Sequence, residues 1–580
     1  MVETSFLMNR RDFLHYTGAA SLITTGIISP ATLMATHPFP GFSGFQELVD
    51  NLVLLNDEQV EKIAAQQNLD KSSKYYGGVY DTWKIVTPHS AGGLFKTLAI
   101  AYSQPKSKYY LDNSLLGKME MAVKYLLKVQ HSDGTIDLLS TNFHSTPDTG
   151  FVVEPLCASY DLLKKLQFPR KESLLRPLEL FLKNAGEAFV VGGIHTPNHR
   201  WVVSMALARL NTLFPDERYL KRIDQWLQEG VDIDADGQYE ERSTYIYTPL
   251  TNRCLIYISL LAGRPELMDI VRKNLEMTLY YVHPNGEVAT EASGRQDQFR
   301  VGFMEHYYIP YRMAALTFAD GCFSAMVSQI ESTVPEKLLT YLPYFLTTKE
   351  LGEELPAQDE LPRNYVKEFK YSNLVRIRRG NIDATILGDN PTFFTLSKGK
   401  AVLASVRLAS AFFGRGQFRS EKINRTKDGL ELNWSFDWGY FQPLPKGEKP
   451  NYEIPFDEDR KRREKSEVQH LKMKVVVSEN QGIFTLDFDL EGTENVPLAI
   501  ELAFRNEGTL QGGEKVSEAE DVFLLRAKNG FYQFKDDIIK FGPGNAAHEW
   551  TEIRGALPRP NGKCVYLTGF TPFKKQIFFQ

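Results

Sequence analysis

Thr196-Pro197-Asn198-His199-Arg200-Trp201 is the stretch from which the fold is read. Threonine is a favoured N-cap and proline a favoured first helical residue, so the pair marks a helix start. Trp201, Met205, Ala208 and Leu210 follow with helical spacing. The same dipeptide recurs at Thr87-Pro88, Thr146-Pro147 and Thr248-Pro249, at intervals of 59, 50 and 52 residues. Each interval has room for two helices and two loops and holds a second helical stretch, such as Leu174 to Phe189 or Glu217 to Leu227. The repeating unit is therefore a helical hairpin. A fifth unit is expected to open near Asp297 to Arg300, where Phe299, Phe303 and His306 to Tyr308 continue the pattern about one period later. Five such hairpins close into an α/α toroid, expected over residues 36–355, with the Thr-Pro helix starts gathered at one mouth.

Beyond Leu361 the period changes. Tyr371 to Arg378, Ala401 to Leu408, Leu430 to Phe436, Leu471 to Val477 and Ile483 to Leu490 alternate as strands between Gly, Asn and Asp turns. With no amphipathic helices between them they predict an antiparallel β-sandwich over residues 356–580. The fold class is thus a multidomain α+β chain, a toroid followed by a sandwich. Lys446 to Lys465, rich in proline and charge, reads as a long exposed loop. Phe412 to Phe418 and Asp437 to Tyr440 combine aromatics with glycine and read first as sandwich core and turns.

At the other end, Asn9-Arg10-Arg11-Asp12-Phe13-Leu14 precedes an uncharged apolar stretch from Tyr16 to Ala35. That is the layout of a twin-arginine-like export signal over residues 1–35, and it predicts a periplasmic or secreted protein. No later stretch approaches the roughly 18 uninterrupted apolar residues of a membrane span. The formal net charge of −5, with both signs mixed along the chain, offers no global basic field for nucleic acid. Cys157, Cys254, Cys322 and Cys564 are too scattered for a metal knot or a disulfide scaffold, and read as buried thiols or at most one disulfide. Nothing in the sequence sets the oligomeric state.

The loops before the helix starts hold most of the reactive side chains: His89, His144, Asp148, Asn198, His199, Tyr245 and Tyr247, with Arg295 ahead of the fifth start. Taken singly, each is an ordinary loop or capping residue. Arriving at equivalent positions of a repeat, they converge on one rim. Helix N-termini carry unpaired N–H groups and about half a positive charge each, so that rim suits carboxylates. A carboxylate-bearing partner is expected there.

Thr196 to Trp201, followed by Asp236-Gly237-Gln238-Tyr239-Glu240-Glu241-Arg242-Ser243-Thr244-Tyr245, resembles the heparinase II/III and alginate lyase superfamily. In that pattern an Asn or His at an inner helix start precedes, by about fifty residues, a Tyr that follows an Asp-Gly and a Glu-Arg-Ser-like stretch. Here Tyr245 and Tyr247 bracket the expected place, and Tyr245 is taken first. The resemblance implies a polysaccharide lyase whose partner is an anionic polysaccharide, a uronic-acid polymer that it cleaves by β-elimination to leave a 4,5-unsaturated uronate end. It implies roles for the residues as well. Asn198 and His199 would neutralise the uronate carboxylate while a tyrosine removes the C5 proton and returns one to O4. A reference phenol pKa of about 10 must then be lowered, for which Arg200, Arg242 and Arg295 are the nearby cations. Where H5 and O4 lie on opposite faces of the sugar a separate base is needed, with His144 or His195 first in line and His306 third. His89, Arg200, Arg242, Arg295 and His306 are the expected substrate-binding residues. Related lyases often hold a structural divalent metal in the β domain, but His470 and His548 stand there with no ligand cluster, so no metal or other cofactor is carried over. Two other readings stay open. One is a toroid glycoside hydrolase using carboxyl pairs among Asp148, Asp236, Glu240 and Glu241. The other is a periplasmic glycan-binding protein without catalysis.

Overall fold

The computed structural model describes residues 39–516, 521–526 and 528–580. The export-signal expectation, residues 1–35, lies outside the described residues. The chain divides into two compact units, one ending at Leu279 and resuming over Ser293–Leu361, the other made of Tyr280–Ala292 and Pro362–Gln580.

The first unit is the helical toroid. Its inner helices are Pro88–Ser103, Thr146–Lys164, Pro197–Leu213, Tyr247–Ala262 and Tyr308–Phe318, each packed against the next. Each pairs with an outer partner: Leu116–Val129, Lys171–Val191, Glu217–Leu227, Leu267–Thr278 and Gly321–Thr333. Phe45–Ala64 and the short Leu342–Thr347 complete the wall, packing on each other and on the first two inner helices. The sequence explains which helix goes inside. Pro197–Leu213 is buried without a break from Asn198 to Leu210, whereas Glu217–Leu227 buries only Tyr219 and Ile223 and turns its charged side to water.

The helix starts follow the Thr-Pro marks with shifts that local hydrogen bonds explain. Thr87 caps as expected, its Oγ1 accepting from Ser90 N at 3.1 Å. At the second start the cap is Ser145, whose Oγ accepts from Asp148 N at 3.2 Å, so Thr146 is already helical. Thr196 stands at the cap position without a side-chain cap bond. At the fourth, Ser243 Oγ accepts from Tyr247 N at 3.0 Å, which starts the helix one residue before Thr248. The fifth start is a correction: residues 297–300 form a turn rather than a helix. Phe299 has φ +61°, which a right-handed helix excludes. The Asp297 carboxylate ties this turn to Ser243 Oγ at 3.0 Å and to Tyr245 N at 2.9 Å. The helical course begins only at the 3-10 turn Met304–Tyr307, leading into Tyr308–Phe318.

The second unit is a β-sandwich. Among the described residues it has a ten-stranded and an eight-stranded sheet, antiparallel throughout except where Val522–Leu524 runs parallel to Lys563–Phe570. Ala401–Ser410 pairs with Pro497–Phe504 in the first, in register Ile500 with Leu408. Leu430–Phe441 pairs with Lys465–Asn480 in the second, in register Leu432 with Val475. Side chains of both sheets, among them Leu408, Ile500, Leu432, Val475 and Leu486, form one buried core. Tyr280–Ala292 belongs here because it is pinned by buried charges. His283 Nδ1 lies 3.0 Å from Asp383 and His283 Nε2 3.3 Å from Glu291, while Arg376 donates to Asp383. All four cysteines are free thiols, no helix of the described residues is long and apolar enough to cross a membrane, and no His, Cys, Asp and Glu group among them has the makings of a metal site.

Candidate active site at the helix starts

Asn198 and His199 occupy the first turn of an inner helix, where backbone N–H groups lack helical acceptors. The Asn198 side chain is buried and its Nδ2 donates to Glu241 Oε1 at 2.6 Å. Its other amide contact, to Thr196 Oγ1, is 3.4 Å long, and Oδ1 has no partner. Glu241 is buried too; burial, set against the Arg295 charge and the Asn198 hydrogen bond, raises its carboxyl above the usual range, and its Oε2 is unpaired. His199 is held neutral: burial, with His195 close by, lowers its imidazole to about 4. Its ring meets His195 edge-on at 4.6 Å and its Nδ1 has no partner.

Tyr247 opens the next inner helix and belongs to the same group. Its hydroxyl accepts from Gln296 Nε2 at 2.6 Å, and the Arg295 guanidinium lies over its ring, 5.5 Å from the centroid. Burial raises the phenol, while Gln296 and Arg295 both favour its ionised form. Arg295 acts electrostatically on Glu241, His199 and Tyr247 alike, so one cation serves three candidates.

Tyr245 looks another way. Its hydroxyl donates to Glu305 Oε1 at 2.8 Å, and its ring lies against His306 at 4.8 Å. His306 Nδ1 is in turn 2.6 Å from the Tyr341 hydroxyl, and burial lowers its imidazole. Burial and the adjacent Glu305 carboxylate push the Tyr245 phenol far above its ordinary value.

The remaining expected residues divide. His89 lies beside Asp148, is lowered by burial, and has an unpartnered Nδ1. Arg200 is a buried strut, paired with Glu229 at 3.0 Å and Asp232 at 2.8 Å, so its guanidinium is committed to its own loop. Arg242 is exposed with φ +48°, and its carbonyl accepts from Gly294 N at 2.7 Å, which ties the two loops together. His144 is exposed, stacked on His131 at 3.7 Å and paired with Asp133 at 2.7 Å. Glu241 and Glu305 are the side chains that sequence reasoning left without a role beside the catalytic candidates. Glu241 was legible only as a carboxyl candidate for hydrolysis, and Glu305 only as part of the helical run through His306.

No protein-family model matches this chain, and no curated protein matches it. Among solved structures it is similar to heparinase III, with a TM-score of 0.54 at 12% identity over 98% of this chain and 88% of that one. It is also similar to the chondroitin AC lyase of Streptomyces coelicolor A3, solved in complex with chondroitin sulphate, with a TM-score of 0.53 at 12% identity over 93% of this chain and 80% of that one. The class is therefore set at the level of architecture: the chain has the toroid-plus-sandwich fold of these polysaccharide lyases.

Proposed function

We propose that the chain is a polysaccharide lyase that cleaves a uronic-acid-containing polysaccharide by β-elimination and leaves a 4,5-unsaturated uronate at the new end. The observation that carries this reading is the grouping of Asn198, neutral His199, Arg295 and Tyr247 at two neighbouring helix starts. Elimination needs a charge-neutralising cradle for a carboxylate, because the C5 proton is barely acidic until the developing dianion is stabilised. Asn198, through its weakly engaged second amide hydrogen, His199 as a neutral ring donor, and the Arg295 charge supply one. The helix start adds its own positive end.

Tyr247 is the base in this scheme. Its oxygen already accepts a hydrogen bond and has a guanidinium nearby, two features that stabilise phenolate. It takes the C5 proton and, where H5 and O4 share a face, returns one to the departing O4. Tyr245, donating to Glu305, is poorly suited to ionise and serves instead to fix the loop beside His306. The similarity to heparinase III and to a chondroitin AC lyase supports an anionic glycan, heparin-like or chondroitin-like, as the substrate class. The Arg10-Arg11 segment supports work outside the cytoplasm.

The test is ultraviolet absorbance of the purified chain mixed separately with heparan sulfate, chondroitin, hyaluronan, alginate and glucuronan, alongside a reducing-end assay. Elimination raises both signals. New reducing ends without the absorbance of a conjugated double bond identify a hydrolase and overturn the proposal.

A further inference from the structure

Three inner helices each place one cation around a single carboxylate. Glu154 pairs with Arg209 at 3.3 Å and accepts from the Tyr344 hydroxyl, and its charge acts on Lys96 and Arg253 as well. Lys96, Arg209 and Arg253 lie on Pro88–Ser103, Pro197–Leu213 and Tyr247–Ala262 in turn. The positive groups are poorly satisfied: Arg209 Nη2 and Arg253 Nε have no hydrogen-bond acceptor and Arg209 Nε has only its ion pair with Glu154, although the Tyr257, Tyr341 and Tyr344 rings lie beneath the guanidinium groups. Buried charge of one sign is costly unless a counter-ion is supplied.

Lys96 opens onto a cavity. His89, Gly92, Gly93 and Lys96 line it from one helix, and Phe151 and Val152 from the next. Lys96 is only 6% exposed and makes no hydrogen bond or ion pair among the described residues. Its amine is lowered to about 8, because burial outweighs the Glu154 charge. His89 adds an unpartnered Nδ1. Gly92 has a packing reason, since a Cβ there would come within 3.1 Å of Val152 Cγ1; Gly93 lines the cavity beside it. Phe151 links the cavity to the candidate site, its ring meeting His199 edge-on at 6.3 Å.

We propose that this cavity is an anion subsite, in which Lys96 with His89 takes a carboxylate or sulfate substituent carried by a sugar next to the one cleaved. That the anion belongs to a polysaccharide rests on the lyase reading; that the cavity binds an anion does not. The cavity is narrow and mostly apolar away from Lys96 and His89, so it takes at most one compact charged substituent and not a whole sugar ring. Ligation of the anion offsets the surplus positive charge around Glu154.

Calorimetric titration of the full chain with sodium glucuronate and, separately, sodium sulfate, at fixed ionic strength and without polymer, tests this whether or not any bond is cleaved. The expected result is saturable binding of one of the two, weakened about tenfold or more by Lys96→Met, which keeps the bulk of the side chain and removes the charge. Saturation by glucuronate identifies a carboxylate subsite, and saturation by sulfate a sulfate-ester subsite. Gly93→Leu, which fills the cavity, leaves the charge and favours the helix, is expected to lose binding equally, so the outcome does not depend on the folding of one variant. Binding of neither anion, or affinity unchanged in Gly93→Leu and in a folded Lys96→Met, overturns the proposal and leaves an adventitious ion only. Lys96-dependent binding in a chain that shows no elimination on any polymer keeps the anion site and removes the lyase reading alone.

Discussion

Tyr245 and Tyr247 are two residues apart and have opposite electrostatic surroundings, which gives the clearest predictions at the residue scale. Tyr247, receiving a hydrogen bond from Gln296 beside Arg295, is the one expected to ionise. Tyr247→Phe should lower kcat by about 10²–10⁴ with little change in melting temperature. Tyr245→Phe should cost much less activity, and mainly stability, by leaving the buried Glu305 carboxylate with only Lys337 at 3.6 Å. Equal losses in the two variants, measured by the absorbance assay, would remove the assignment. Asn198→Ala should lower kcat by about 10²–10³, the usual cost of deleting one preorganised donor, with KM changed less. These residue types were legible in the sequence; which tyrosine mattered was not. The choice depends on the partners Gln296 and Glu305, about 50 and 60 residues downstream, and no local pattern announces them.

At the scale of elements, the Thr-Pro marks located four inner helices because capping is a local event, written in adjacent residues. They failed by one residue at the second start, where Ser145 takes the cap, and by two at the fourth, where Ser243 holds Tyr247 N. The fifth start was misplaced because Asp297, which reads as a helix-opening residue, is used by Ser243 and Tyr245 across the loop. The caps themselves are testable. Thr87→Ala removes a bond to Ser90 N and should cost about 1 kcal/mol, whereas Thr196→Ala, which has no such bond to lose, should cost clearly less. Chemical denaturation of the two variants checks the difference, and equal costs would show that Thr87 caps no better than Thr196.

At the scale of the whole molecule, the toroid and the sandwich were both visible as a change of hydrophobic period near Leu361; four of the five strands seen from sequence appear in longer form, while the first opens only at Leu374. What the sequence hid was the excursion of Tyr280–Ala292 into the sandwich unit, because its cause is a buried charge network assembled from distant residues. That network predicts a pH dependence of stability. Burial alone would lower His283, but Asp383 and Glu291 outweigh it and raise the imidazole to about 9. A histidine raised on folding stabilises fully below its unfolded value of about 6.5 and loses that contribution as pH rises through about 9. Melting temperature should therefore fall over that window, and His283→Gln should flatten the fall. A variant with the same alkaline slope as the parent would show that the network does not hold its proton.

The central claim is that the helix-start group performs an elimination, and the most direct measurement is the absorbance of a conjugated uronate on uronic-acid polymers, made with the parent chain and with Tyr247→Phe. Absorbance is expected to rise with at least one polymer, matched by new reducing ends, and to be lost in the variant. Reducing ends without that absorbance, or full elimination by Tyr247→Phe, would contradict it.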